Sequence, residues 1–142
     1  HRDLHSFPTR RSSDLKIGTD IIYIDRVEKN IKQYGNKFKE KFLSSQEIGI
    51  AQKIETIAGF WAAKEAISKA LGCGIGKQLS FHDIIISKDK KGAPSFTLSK
   101  EAQQRHSVKE SSLSISHDGG FAIAVVVIVL HNRCSPSSDK LQ

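Results

Sequence analysis

Residues Ile57 to Leu71 read IAGFWAAKEAISKAL, and this stretch decides the architecture. Alanine returns at 58, 62, 66 and 70, and Gly72 follows the last apolar position, so the run predicts a helix with a glycine stop. Alanine at that spacing puts no bulk between the helix and its support, so close packing is expected. At about 100° per residue, Phe60, Ala63, Ile67 and Leu71 widen the apolar side. Lys64, Glu65, Ser68 and Lys69 gather on the other, and Trp61 projects into that polar sector.

Outward from this helix the chain supplies shorter elements. Lys16 to Ile24, KIGTDIIYI, predicts a strand with Asp20 where its ladder ends or bends. Asp25 is expected to cap a helix through Tyr34, with Val27 and Ile31 on one face and Gly35 as its stop. Asn36 to Leu43 predicts a second short helix, and Ser44 or Ser45 with Glu47 resembles a capping box opening a third. Beyond a flexible turn at Gly72, Gly74 and Gly76, Phe81 to Ser87 predicts a strand, and Ser95 to Leu98 its partner across Gly92-Ala-Pro94. Ser99 to about Ser107 reads as a polar helix. Leu113 to His117 and Phe121 to Val129 read as strands joined by Asp118-Gly119-Gly120, a strong hairpin signal. The sum is an α+β chain: a small antiparallel sheet with one long packed helix.

The 142 residues, 38% of them hydrophobic, are enough for one compact domain. The net charge of +7 favours anionic partners. Arg26, Lys29, Lys32, Lys37, Lys39 and Lys41 outnumber Glu28 and Glu40 on the helices after the first strand. Cys73 and Cys134 stand far apart without a CxxC pair, which argues against a disulfide framework or structural zinc and fits a reducing cytoplasm. The longest apolar run, Phe121 to Leu130, is about half of what a membrane-crossing helix needs and is expected to be a buried strand.

The first fifteen residues lack the apolar core of a secretory signal. The string HSFPTRRSSDL at 5–15 resembles a translated sequencing adapter, and the chain has no methionine. Residues 1–15 are therefore expected to be a non-native or disordered tail, 16–130 the domain, and 131–142 a flexible C-terminal tail. Setting 1–15 aside removes Arg2, Arg10 and Arg11 with Asp3 and Asp14, so +6 of the charge belongs to the remainder.

The segment from Trp61 to Lys69 sets the Glu65 carboxylate between the Lys64 and Lys69 ammonium groups. Alone, such a face is usually just solvated. Asp20 adds a second acid on an apolar strand, where an unpaired carboxylate is costly to bury. Two such groups suit magnesium, which takes one or two carboxylates and completes its octahedron with water and phosphate oxygens. Taken singly, Asp20 reads as a cap or turn residue, the glycine turn as a helix stop, and His117 as a hydrogen-bonding residue at a strand end.

Five motifs are similar, in order, to those of holo-acyl-carrier-protein synthases: Ile17-Gly-Thr-Asp20, WxxKExxxK from Trp61 to Lys69, Gly72-Cys-Gly-Ile-Gly76, SFHDI from Ser80, and Ser114-Ile-Ser-His117. The resemblance spans nearly all of Lys16 to Val129. It implies the phosphopantetheinyl transferase fold, a homotrimer, and coenzyme A held in clefts between subunits. The implied reaction is magnesium-dependent transfer of 4′-phosphopantetheine from coenzyme A to a serine of apo acyl carrier protein, releasing adenosine 3′,5′-bisphosphate, in fatty acid biosynthesis.

Carried over by position, Asp20 and Glu65 are implied to be magnesium ligands, and with Lys69 the catalytic residues. Lys69 is implied to neutralise phosphate, with proton acceptance from the serine as a second role. Arg26, Lys64, Ser68, Lys69, Gly72, Gly74 and His117 are the implied cofactor-binding residues. Arg26, Lys29 and Lys32 would meet an acidic carrier, where exposed charge mainly raises the encounter rate. Phe60 departs from the arginine often found before the aromatic of the helix motif, which puts that arginine's contact in doubt.

Three other readings stay open here. One is a transferase serving polyketide or peptide synthetase carriers. Another is a domain of the same fold that binds coenzyme A without turnover. The third is a basic nucleic-acid-binding module, against which Phe38, Phe42, Phe60 and Phe81 fall on apolar faces and no nucleic-acid signature appears. Neither a nucleic acid nor a membrane is an expected partner.

Overall fold

The structure, a computed structural model, describes residues 14–132. Its larger sheet has three antiparallel strands in the order β1-β5-β4: β1 is Leu15–Tyr23, β4 is Val108–Asp118 and β5 is Phe121–Leu130. A two-stranded antiparallel sheet holds β2, Ile84–Lys88, and β3, Pro94–Leu98. Helices α1 (Ile24–Tyr34), α2 (Asn36–Phe42) and α3 (Ser45–Ile50) lead into the long α4 (Ile54–Ala70), and α5 (Lys100–His106) links β3 to β4. This is the expected α+β arrangement.

The alanine ladder does what its spacing promised. Ala58, Ala62 and Ala66 are fully buried. A methyl group at Gly18 of β1 would collide with the Ala66 carbonyl oxygen and stand 2.9 Å from the Ala70 Cβ. Glycine on the strand and alanine on the helix thus bring the two backbones unusually close. Across the sheet, Gly59 of α4 meets Ile115 of β4, where an added Cβ would lie 2.7 Å from Cγ2. The β4–β5 hairpin closes through Gly119 and Gly120, whose φ values of 59° and 88° suit a two-residue turn that needs positive φ at both positions.

Several expectations are corrected. The helix is not split into apolar and solvated halves: Lys64 and Ser68 are completely buried. The larger sheet covers one side of α4, while the Phe42 end of α2, Glu47 of α3 and the Phe81 turn cover the other. Trp61 sits in that second layer against Phe38, Phe42 and Phe81. Phe81–Asp83 is a 3-10 turn and not strand. There the Ser80 N–H donates to Asp83 Oδ2 at 2.9 Å and Ser99 Oγ donates to Oδ1 at 2.7 Å, local bonds that compete with a ladder.

Strand β4 starts at Val108, five residues earlier than the alternation at Leu113 suggested, because β5 supplies partners for the polar stretch, with an irregularity between Val108 and Glu110. Asp25 is not the cap of α1. That position is Tyr23, which makes no side-chain cap, and Asp25 lies in the first turn, 3.3 Å from Lys29. Gly35, at φ 63°, ends the helix as expected. Ser44 is the capping-box residue for α3, accepting from the Glu47 N–H at 3.2 Å while its own N–H donates to Glu47 Oε1 at 2.8 Å.

Nor is β5 a strand buried on both faces. Ala122, Ala124, Val126 and Ile128 face α4, whereas Phe121, Ile123 and Val125 lie outward. With Ile17 (65% exposed), Ile21 (58%) and Tyr23 of β1 they form a bare apolar sheet face. Leu15, the last residue of the segment set aside, pairs with Val129 within β1. The readings for 1–13, for 133–142 and for Cys134 lie outside the described residues. No helix among the described residues is long and apolar enough to cross a membrane.

Candidate active site

The site grows from the close contact of β1 with α4. On β1, Gly18 and Ile22 face the helix, so Asp20 between them shares that face. Asp20 is not at a strand end. It sits well inside the ladder, opposite Ala124. Because Gly18 lets the helix descend, the last two turns of α4 reach this carboxylate. Lys69 Nζ lies 2.7 Å from Asp20 Oδ1 and also donates to the Thr19 carbonyl at 3.2 Å. The Asp20 side chain is only 15% exposed, whereas that of Lys69 is 54% exposed. Glu65 stands one turn before Lys69. Burial pushes its carboxyl pKa up, the neighbouring Asp20 charge adds to the rise, and Lys69 opposes it.

Two neighbouring carboxylates, balanced by one ammonium, leave a negative locus. That donor set fits a hard cation that accepts two carboxylates and fills its remaining positions with water and phosphate oxygens. Among the described residues, no group of three or more His, Cys, Asp or Glu could hold a metal ion. A pair still suffices for magnesium in the presence of a diphosphate.

The other expected residues divide. Lys64 does not reach the site. Its ammonium donates to the Phe42 carbonyl at 2.6 Å, to Glu47 Oε1 at 2.9 Å and to the Phe81 carbonyl at 3.0 Å. An ammonium has three donors, and all are used, so the expectation that Lys64 binds cofactor is corrected. Burial lowers its pKa while the Glu47 carboxylate pulls it back. Ser68 is buried, its hydroxyl donating to the Glu65 carbonyl at 2.7 Å. The Ser68 carbonyl accepts from the N–H groups of Cys73 and Gly74, and Gly72 and Gly74 have φ values of 81° and 68°, so the turn performs a helix stop. Arg26 is exposed on α1. His117 lies near the end of β4 in a cleft of about 630 Å³ with Tyr23, Asp25, Glu28, Glu55 and Asp118. Glu55 opens α4 and Glu65 nears its end, roughly 15 Å apart along the axis at 1.5 Å per residue. Within one chain, then, Asp20, Glu65 and Lys69 converge and His117 stands apart.

Comparison with known proteins bears on this arrangement. The sequence profile of the 4′-phosphopantetheinyl transferase superfamily matches residues 16–126. The holo-[acyl-carrier-protein] synthase of Sulfurovum sp. (strain NBC37-1) is 63% identical over 114 residues, covering 80% of this chain and 96% of that protein. The chain belongs to the holo-[acyl-carrier-protein] synthase family. Its fold is that of the family's solved structures. The Helicobacter pylori synthase in complex with coenzyme A superposes with a TM-score of 0.77 at 57% identity, covering 79% of this chain and 98% of that one. The Neisseria meningitidis synthase superposes at 0.72 with 32% identity.

For a member of this synthase family, the residue missed in the sequence is Glu47. It was legible as a capping-box acid, but not as the buried counter-ion of Lys64. The available signal was a lysine one helical turn from Phe60 and Ile67 on the apolar side, which requires a buried acid from elsewhere.

Proposed function

We propose that this chain transfers the 4′-phosphopantetheine arm of coenzyme A to a serine of apo acyl carrier protein, with Asp20, Glu65 and Lys69 as its reacting centre. The observation that carries the reading is the convergence of these three side chains from β1 and α4 within the synthase fold. Magnesium held by Asp20 and Glu65 would neutralise charge on the coenzyme A diphosphate and on the departing bisphosphate. The serine oxygen forms its bond to the β-phosphorus as the bridging oxygen leaves with adenosine 3′,5′-bisphosphate, and the serine proton passes to a base. Lys69 has the reach and exposure to bind a phosphate oxygen electrostatically, and Asp20 and the Thr19 carbonyl orient it.

The bare apolar face of β1 and β5 supports a homotrimer, since contiguous exposed apolar surface of this kind marks contact sites. In such an assembly the sites lie at subunit clefts. His117, which lines the cleft beside Glu55 and Asp118 in its own chain, serves the site of a neighbouring copy. Fatty acid synthesis in the cytoplasm is the setting we favour, and a polyketide or peptide synthetase carrier is the alternative acceptor.

The test is incubation with coenzyme A, magnesium and each apo carrier, followed by the mass of the carrier. The wild type is expected to add one phosphopantetheine arm to the fatty-acid carrier. Asp20→Asn and Glu65→Gln are each expected to abolish the gain while staying folded. Activity retained in both variants overturns the assignment.

A further inference from the structure

Beyond the reacting trio, the described part of the molecule holds one fully buried ion pair, Glu47–Lys64, and its reach is wide. Lys64 Nζ touches the last residue of α2, the carboxylate of α3 and the first residue of the 3-10 turn. Glu47 in turn accepts from the Ser44 N–H and, through Oε2, from the Ile86 N–H of β2 at 2.8 Å. One polar node therefore joins α2, α3, α4, the Phe81 turn and the smaller sheet. Every buried side-chain polar atom among the described residues has a partner, so the node is complete.

Its position relative to Glu65 matters more than its size. The sheet-facing side of α4 is alanine, which allows close approach but presents few projections to resist sliding or rotation about the helix axis. Directional bonds supply what such a surface lacks, and buried polar groups are best attested as setters of register. Lys64 immediately precedes Glu65, so fixing its azimuth fixes that of Glu65 about 100° further round. At the other end, Lys69 is tied to Asp20 and to the Thr19 carbonyl of β1. Glu65 is bracketed by two tethers that anchor the helix on opposite layers.

We propose that Glu47 and Lys64 are positioning residues: their buried pair sets the rotation of α4 that points Glu65 at Asp20. The proposal rests on the reading of Asp20 and Glu65 as the cation site. Neither positioning residue touches substrate. Their loss moves Glu65 off its mark, as the loss of groups that orient metal ligands commonly does, with a penalty of about 10- to 100-fold in cation affinity or turnover.

The test compares wild type, Glu47→Gln, Lys64→Arg and the paired Glu47→Leu/Lys64→Met variant. Manganese affinity is measured by electron paramagnetic resonance without coenzyme A, and kcat and the KM for coenzyme A are measured separately. Folded variants are expected to lose about 10- to 100-fold in both manganese affinity and kcat, with KM for coenzyme A unchanged. If the paired variant does not fold, the two conservative ones decide by the same readings. Folded variants with wild-type manganese affinity and kcat overturn the proposal. So does a raised KM with unchanged kcat, which makes Lys64 a cofactor ligand. A Glu65→Gln control that binds manganese like the wild type removes the cation reading itself, and the split between kcat and KM then judges the pair alone.

Discussion

Glu65 carries a consequence that can be worked out by sign. Its pKa in the folded chain is raised, first by burial and then by Asp20. A carboxyl raised on folding binds its proton more tightly in the native state, so stability falls as pH climbs from the ordinary glutamate value to the raised one. At neutral pH the charged group is therefore a cost to the metal-free fold, which Glu65→Gln removes. Thermal unfolding of the metal-free variant is expected at or above the wild-type midpoint, although transfer is abolished. A midpoint clearly below the wild type contradicts the electrostatic account. Cation binding should also be lost on acidification at a pH above the ordinary glutamate range, because the cation competes with that proton. Gly18 is the other decisive residue. Gly18→Ala places a methyl on the Ala66 carbonyl oxygen and should cost about 1–3 kcal/mol, as overpacking does. Because the same contact holds Asp20 beside Lys69, chemical denaturation and turnover should both show the loss.

At the scale of elements, the molecule depends on how α4 is held from two sides. The alanine period, the Gly72 stop and the hairpin at Gly119-Gly120 were legible because each is a local rule: spacing, positive φ, turn length. The burial of Lys64 was not, since it depends on α2, α3 and the Phe81 turn folding over what helical periodicity alone paints as the polar side. Asp83 shows the same limit. Its neighbours read as strand, yet its carboxylate accepts from Ser99 Oγ and the Ser80 N–H, which holds its pKa below the usual aspartate value. The pairing of Asp20 with Glu65 was suggested by two acids on otherwise apolar elements and strengthened by resemblance, but nothing local in KIGTDIIYI says which helix crosses it. Asp83→Ala should destabilise the chain by about 1 kcal/mol, the usual net value of a hydrogen bond. The carboxylate's contribution is present above the unfolded pKa and lost as pH falls through the depressed folded one. The gap between wild type and variant in a urea series should therefore close at acid pH, and a gap independent of pH contradicts this role.

The whole molecule combines a basic surface with a bare apolar sheet face. Most of the +7 charge lies outside the first fifteen residues, and an acidic carrier approaching the α1 side should be steered by it. Raising salt is expected to lower kcat/KM for the carrier while leaving kcat at saturation nearly unchanged, which steady-state kinetics would show. Ile21→Asp, on the open face, should leave each chain folded and, by light scattering, convert the proposed homotrimer to monomers, with activity falling alongside; a wild type that is itself monomeric contradicts the proposed assembly. The most direct test of the central claim is manganese titration of wild type, Asp20→Asn, Glu65→Gln and the double variant in the absence of coenzyme A. Two carboxylates sharing one cation predict that either single change removes most of the affinity and that the second adds little. Wild-type affinity in either single variant, or independent and additive losses, contradicts the claim.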